Sequence, residues 1–321
     1  MSDSVNDASA VADSAQHFAG IPARLNTALA AGFLGLGLFQ YFLLPLVLLR
    51  VSPWWALALV PCALSTTANW ALIHEAIHSV LMENRRANDA WGRALAVFFV
   101  GPLEVLRFAH LHHHRINGSP ADRPEFFAEA EMSRLAASLI YYPRLLLGTF
   151  AAEFAGTFIC LAPQRVIERA VQEFPREGGG DVRARSYLLQ SGRLVRLRLD
   201  AAVTLALLAF AFWSYGAFWW LLALSLLARA VLVSVADNSY HYGAPLAAGA
   251  YSALNFRLPL SGGILHFNLH RVHHRHPSLS WNALPGAFRA ANERYDAPFL
   301  AAMLRQFRGP VSDLEYRRGR P

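Results

Sequence analysis

No charged residue falls between Leu25 and Leu49, and none between Val51 and Ile73. Each run meets the roughly 20 apolar residues that a helix needs to cross a hydrocarbon core. Only "RVSP", Arg50 to Pro53, separates them, so the pattern predicts a tight helical hairpin whose second arm returns to its starting side. A second apolar block runs from Ala201 to Ala236, interrupted only by Arg229 and divisible at "SYG", Ser214 to Gly216. The predicted spans are therefore about 25–49, 53–73, 199–214 and 217–236. Arg229 lies near the end of its span, where it can snorkel or face a polar cavity. Leu135 to Leu161 is apolar but carries Pro143, Arg144 and Glu153. It is too short for two crossings, and one crossing would part the histidine-rich stretches on either side of it. An interfacial or re-entrant segment is expected there.

The other long segments, Met82 to Arg134, Ala162 to Asp200 and Gly243 to Pro321, are polar and basic, whereas the short turns hold one arginine, Arg50. The positive-inside rule then assigns the long segments and both termini to the cytoplasm. The expected fold is an all-α integral membrane protein, with four transmembrane helices in two hairpins beneath a cytoplasmic helical cap. Composition agrees: 16% of the 321 residues are charged, against about 25% in soluble domains. Trp54, Trp55, Trp219 and Trp220 stand at span starts and read as interfacial anchors. Residues 1–20 are polar, small and slightly acidic, without the basic start and apolar middle of a signal peptide. They read as a disordered leader ahead of one membrane domain, 21–321.

All 29 basic residues are arginine, which rules out lysine-dependent covalent chemistry. The net charge of +7 is accounted for by cytoplasmic loops, with no nucleic-acid partner implied. Attraction to anionic lipid, an acidic carrier or an electron donor is compatible with it. Cys62 and Cys160 both sit in apolar stretches and read as packing residues. Two cysteines build neither a disulfide framework nor a four-cysteine iron–sulfur cluster.

The chemistry lies in the 13 histidines. "HEAIH" places His74, Glu75 and His78 at the end of the second predicted span. "HLHHH" supplies His110, His113 and His114, and "HRVHH" supplies His270, His273 and His274, both fitting H-x-x-H-H. His241 follows Asp237 by four residues in "DNSYH". Spacings of three and four put side chains on one helix face, so each box is a group of imidazoles pointing one way. His112 points off the face of its box, and His17 lies in the leader. His266, four before His270, can serve the surroundings of the site, and His276 is intermediate. Arg115, Asp122 and Arg123 read as solvated charges.

Counting ligands narrows the metal. A catalytic zinc takes three protein ligands and a water, which leaves most of these histidines without a role. The soluble di-iron pattern needs a second E-x-x-H, and no other histidine has a glutamate three residues before it. The three boxes hold eight histidines and His241 makes nine, enough for two metals of four or five ligands each. Imidazole suits iron, copper, zinc and nickel alike, so spacing gives two metals and leaves their identity open.

These boxes, in this order between two predicted hairpins, resemble the membrane fatty acid desaturase superfamily. The stretches "LRFAHLHHHRIN", "DRPEFF" and "NLHRVHHRHPSLSWNALP" are similar to its bacterial acyl desaturases, over roughly Leu25 to Pro285. The resemblance implies a histidine-ligated pair of iron ions that uses O₂ and two electrons to remove hydrogens from an unactivated methylene pair. It implies His74, His78, His110, His113, His114, His270, His273 and His274 as ligands, with His241 as the ninth. Asp237 stands where the acyl-CoA branch has asparagine and could ligate directly or through water. Glu75 would then orient an imidazole. The implied partners are a lipid-, CoA- or carrier-linked acyl substrate and an external donor of the ferredoxin, rubredoxin or cytochrome type, at the cytoplasmic face of a bacterial inner membrane. Fatty-acid, alkane or carotenoid hydroxylases and ketolases would use the same site. An intramembrane zinc protease or a metal transporter is the reading from another class.

Overall fold

The computed structural model describes residues 20–172, 179–246 and 252–319, so the expected leader lies outside the described residues apart from Gly20. The chain enters a 29-residue helix, Ala23–Val51 (α1). Pro45, which has no N–H to donate, sits inside its π-helical stretch Phe39–Leu48. Ser52 ends α1 in extended backbone (φ −158°), and its hydroxyl accepts the Trp54 amide at 3.4 Å while Pro53 takes the first helical position. The "RVSP" turn is thus a cap followed by a helix start. Pro53–Leu64 (α2) and Thr66–Ile77 (α3) follow, bent by 41° at Ser65.

Arg85–Phe99 (α4) and Leu103–Ile116 (α5) meet at 98°, where Val100 takes a left-handed conformation (φ 71°). Arg134–Pro143 (α6) continues through a π-helical stretch, Arg144–Gly148, into Thr149–Leu161 (α7). This run, expected to lie in the interface or re-enter, packs along the later apolar helices. Gln164–Gln172 (α8) and Gly180–Leu188 (α9) precede Ser191–Tyr215 (α10) and Trp219–Ser239 (α11). The last two are longer than the predicted spans at their polar ends. The chain turns between them at Gly216 (φ 52°).

Short helices complete the chain: His270–Arg275 (α12), Leu284–Ala290 (α13), Phe299–Arg305 (α14) and Asp313–Arg317 (α15). The strands are two residues long and paired in parallel: Phe126–Phe127 (β1) with Val311–Ser312 (β4), and Phe256–Arg257 (β2) with Ala297–Pro298 (β3). The all-α expectation holds.

Ala23–Val51 and Ser191–Ser239 are each long and apolar enough to cross a membrane, and the number rises to four if α2–α3 and α4–α5 each count as one bent span. Outward-facing Leu38, Leu43, Val47, Leu57, Val60, Leu224 and Leu227 are exposed, an arrangement suited to lipid contact. Tyr41, Leu44, Leu59, Leu208, Tyr215 and Leu222 form a buried core between α1–α2 and α10–α11. Trp54, Trp55, Trp219 and Trp220 are exposed near the α1–α2 and α10–α11 junctions. Arg229 faces inward: its Nη1 donates to the Phe98 carbonyl at 3.3 Å and its guanidinium lies 4.4 Å from the Phe99 ring centroid.

A second core, centred on Leu72, Ile73, Ala76, Leu95, Phe99 and Leu103, supports the end of α3. Here α4 comes so close that a Cβ on Gly92 would stand 2.6 Å from the Ala76 Cβ, a contact only glycine allows. After His78, Ser79 turns left-handed (φ 64°), with Ser79 N–H on the Ala76 carbonyl (3.2 Å) and Val80 N–H on the Glu75 carbonyl (2.9 Å). This is a Schellman ending. Asn88 then holds the following loop: its Oδ1 accepts the Leu81 and Met82 amides (3.1 and 3.4 Å) and its Nδ2 donates to the Ala76 carbonyl (2.9 Å). Asn88→Ala leaves the Leu81 and Met82 amides without this acceptor. Thermal melts of the purified protein should show a loss of about 1–3 kcal/mol.

The C-terminal segment straps the cap. Gln306, fully buried, donates to the Val235 carbonyl at 2.8 Å and accepts from Asn238 Nδ2 at 2.6 Å. Tyr242 donates to the Gly309 carbonyl at 2.8 Å.

Candidate metal centre

Nine imidazoles converge from four elements. His74 and His78 lie on the last turn of α3 and its cap, and His110, His113 and His114 on α5. His241 follows α11, while His270, His273 and His274 form α12. They fall into two groups. In each, one ligand atom per residue lies within 4.8 Å of every other: His74, His78, His110, His114 and His273 in the first, His113, His241, His270 and His274 in the second.

The division cuts across both H-x-x-H-H boxes. In both H-x-x-H-H boxes the i, i+4 pair stays together and the histidine between crosses to the other group. His110 and His114 enter the first group and His113 the second; His270 and His274 enter the second and His273 the first. The boxes are thus interleaved.

The Nε2 atoms point at one another. Spacings are 3.0 Å for His78–His110, His110–His114 and His114–His273. In the second group they are 3.0 Å for His241–His270, 3.1 Å for His270–His274 and 3.3 Å for His113–His274. Around an ion bound at about 2.1 Å, an edge of 3.0 Å corresponds to an N–metal–N angle near 90°. A tetrahedral site would need edges of about 3.4 Å. Both ring nitrogens of His74 are buried without a hydrogen-bond partner, a costly state for a polar group unless a ligand satisfies it. Burial, then the neighbouring imidazoles, holds His270, His273 and His274 well below their usual 6.5, so they present neutral donors. The residues fit two cations, one beside five imidazoles and one beside four.

The outer nitrogens fix the tautomers. His113 Nδ1–H donates to Asp122 Oδ1 at 2.6 Å, and Asp122 Oδ2 accepts from Asn117 Nδ2 at 3.3 Å. His241 Nδ1–H donates to the Ser252 carbonyl at 2.9 Å. Ser252 is itself held, by its amide on Asn117 Oδ1 (2.7 Å) and by Arg123 Nη2 on its carbonyl (2.7 Å). In each case the Nε2 lone pair is left facing the group. The reading of Asp122 and Arg123 as solvated charges is corrected here. Both are buried, at 6% and 2% exposure, and both work on the histidines. Arg115 is exposed as expected.

Asn117, Ser252 and Glu125 were not foreseen, because loops bring them in and no helical period marks them. Glu125, in "DRPEFF", is fully buried and accepts from the Gly243 amide at 3.0 Å and from Tyr316 O–H at 2.8 Å. It joins the loop after His241 to the C-terminal strap. Burial raises it above the usual carboxylate range, against the pull of Arg123.

The two carboxylates picked out from the sequence stand apart from the ligand sets. Glu75 Oε2 accepts the Trp281 amide at 3.0 Å, and no hydrogen bond to an imidazole is found for it among the described residues. It ties α3 to the segment after α12, where Trp281 Nε1 also donates to Asn26 at 2.9 Å. Asp237 belongs to neither group and lines a cavity beside His113 and His241. His112 stacks on Phe108 (6.0 Å) outside both groups. His266 accepts or donates at Ser261 Oγ (2.7 Å) and faces the Trp281 ring. His276 is in neither group.

That cavity, of about 690 Å³, is lined by His110, His113 and His241 and by residues of α5, α7, α8, α10 and α11, with Cys160, Ile167, Val171 and Leu194 in its apolar part. Its size is that of a small-molecule site. Cys62 and Cys160 are buried free thiols.

A comparison with curated proteins finds none that matches the chain. The family model described as "Fatty acid desaturase" matches residues 52–304, which takes in all nine grouped histidines and the cavity. Since that match covers well over half of the chain, the protein belongs to the fatty acid desaturase family.

Proposed function

We propose that the protein is a membrane-bound, O₂-dependent di-iron oxidoreductase that introduces a double bond into the acyl chain of a lipid-, CoA- or carrier-linked substrate. The observation that carries this reading is the meeting of two imidazole groups with an apolar cavity that opens onto both. His74, His78, His110, His114 and His273 would hold one ion, and His113, His241, His270 and His274 the other. Two iron ions there would supply O₂ activation for removal of two hydrogens from a methylene pair, with two electrons from outside.

The chain's own residues do the rest. Asp122 and the Ser252 carbonyl keep Nδ1 protonated on His113 and His241, so that Nε2 is the donor. Trp70, Leu106, Ala109 and Gly156 wall the cavity beside the histidines and keep water from the acyl chain. Asp237 stands at that wall and reaches the second group through water. Glu75 positions α3 against the segment that carries Trp281. We place the four spans in two hairpins, with the histidines and both termini on the cytoplasmic side of a bacterial inner membrane. A ferredoxin, rubredoxin or cytochrome-type protein would deliver electrons to the basic cap.

Fatty-acid profiling of a host expressing the gene tests the reaction. A new double bond, absent with a His113→Ala variant, is the expected result. A new oxygen in place of a double bond would convert the reading to a hydroxylase built on the same centre. An unchanged lipid profile with tightly bound zinc would overturn it.

A further inference from the structure

The cavity that opens onto the histidines carries one cation, Arg144, among its described lining residues; the other charged side chains are Asp122 and Asp237. Arg144 begins the π-helical stretch after Pro143, a type of helix irregularity concentrated at functional sites. Its side chain is exposed and has neither hydrogen bond nor ion pair among the described residues. Its backbone carbonyl accepts the Ser234 hydroxyl at 3.4 Å. Ser234 lies on α11 about one turn before Asp237 and two before His241, and all three line the same cavity. Arg144 therefore belongs to the histidine end. Cys160, in the apolar part of the lining, lies 16 residues farther along the same helical run.

This polarity has a chemical consequence. Of the charged side chains on the described lining, Asp122 and Asp237 repel an anion and the Arg144 guanidinium alone attracts one. A guanidinium offers a planar fork that matches a carboxylate or phosphate with two parallel hydrogen bonds. We propose that Arg144 anchors the anionic head group of the acyl substrate, a carboxylate or a phosphate, with the tail directed toward Cys160 and Leu194. The proposal rests on the acyl reading of the cavity given above.

Full-length protein in nanodiscs of zwitterionic lipid is titrated with hexadecanoate, with 1-hexadecanoyl lysophosphatidate and with methyl hexadecanoate. Affinity is read from the ligand-dependent rise in melting temperature. Arg144→Gln should weaken binding of at least one anionic ligand roughly tenfold or more, a loss of about 1.4 kcal/mol or more, and leave the ester unchanged. Arg144→Lys should recover part of the loss. Weakening confined to the carboxylate identifies a free fatty acid as the source of the head group; weakening confined to the phosphate identifies a phospholipid. Equal affinities in wild type and Arg144→Gln, as expected of an arginine that touches only bulk lipid, would overturn the anchor alone. If none of the three ligands shifts the melting temperature of the wild type, the acyl reading of the cavity falls and the anchor with it.

Discussion

Replacing His114 with alanine is expected to abolish acyl oxidation and to lower bound iron from roughly two ions per chain toward one. His114 occupies the middle of the first group, with its Nε2 3.0 Å from both His110 and His273. Loss of this donor leaves a cation with its neighbouring imidazoles spread around a gap. Turnover should fall by at least about a hundredfold, more than loss of an outer partner costs. His276→Ala is the matched comparison, since His276 lies two residues from His274 but outside both groups. It should keep full metal content and near-normal turnover. Elemental analysis of the two variants, beside acyl-chain profiling, checks the prediction. A His114→Ala protein that keeps both metals and its activity would refute the assignment of the first group.

The second large effect is expected at Asp122, which belongs to neither imidazole group. Asp122→Asn keeps the size of the side chain but replaces the charged acceptor 2.6 Å from His113 Nδ1 with an amide. An amide turned to present its nitrogen would hold His113 in the wrong tautomer, with the proton on Nε2 and no lone pair for the metal. Metal affinity at the second group, or activity, should drop about 10–100-fold while the first group stays loaded. Asp122→Glu is expected to recover part of this. Arg115→Gln, a change to an exposed charge one residue from His114, should alter turnover little. Metal titration monitored at the two sites separates these outcomes.

Much of the architecture could be read from the chain because hydrophobic burial and helical spacing are local. Uncharged runs located α1, the α2–α3 pair, α10 and α11, and spacings of three and four marked the histidines that point one way. His112, two residues from both His110 and His114, was excluded on that ground and does lie outside both groups. The assignment of His113 and His273 to groups other than those of their neighbours was not legible. It depends on how α5 and α12 cross, which is settled by tertiary packing. Asp122 and Arg123 looked like ordinary loop charges. Arg123 is met by Ser252, far along the chain, and Asp122 turns inward to His113 and Asn117. Glu75 illustrates the reverse. Its position beside His74 suggested a partnership with an imidazole, yet its carboxylate turns to the Trp281 amide more than 200 residues away. Local spacing finds the ligands, and long-range contacts decide what supports them.

The interleaving of the two H-x-x-H-H boxes bears on biogenesis. A nascent chain still on the ribosome, synthesised only as far as Asn268, holds four members of the first cluster but lacks His273, and of the second it has just His113 and His241. Neither ligand set can be finished before α12 emerges, so metal binding by the full sets waits for completion of nearly the whole polypeptide. Domain-wise maturation, the common route for large chains, cannot complete either ligand set. Both sets become whole only as about the last sixth of the protein docks.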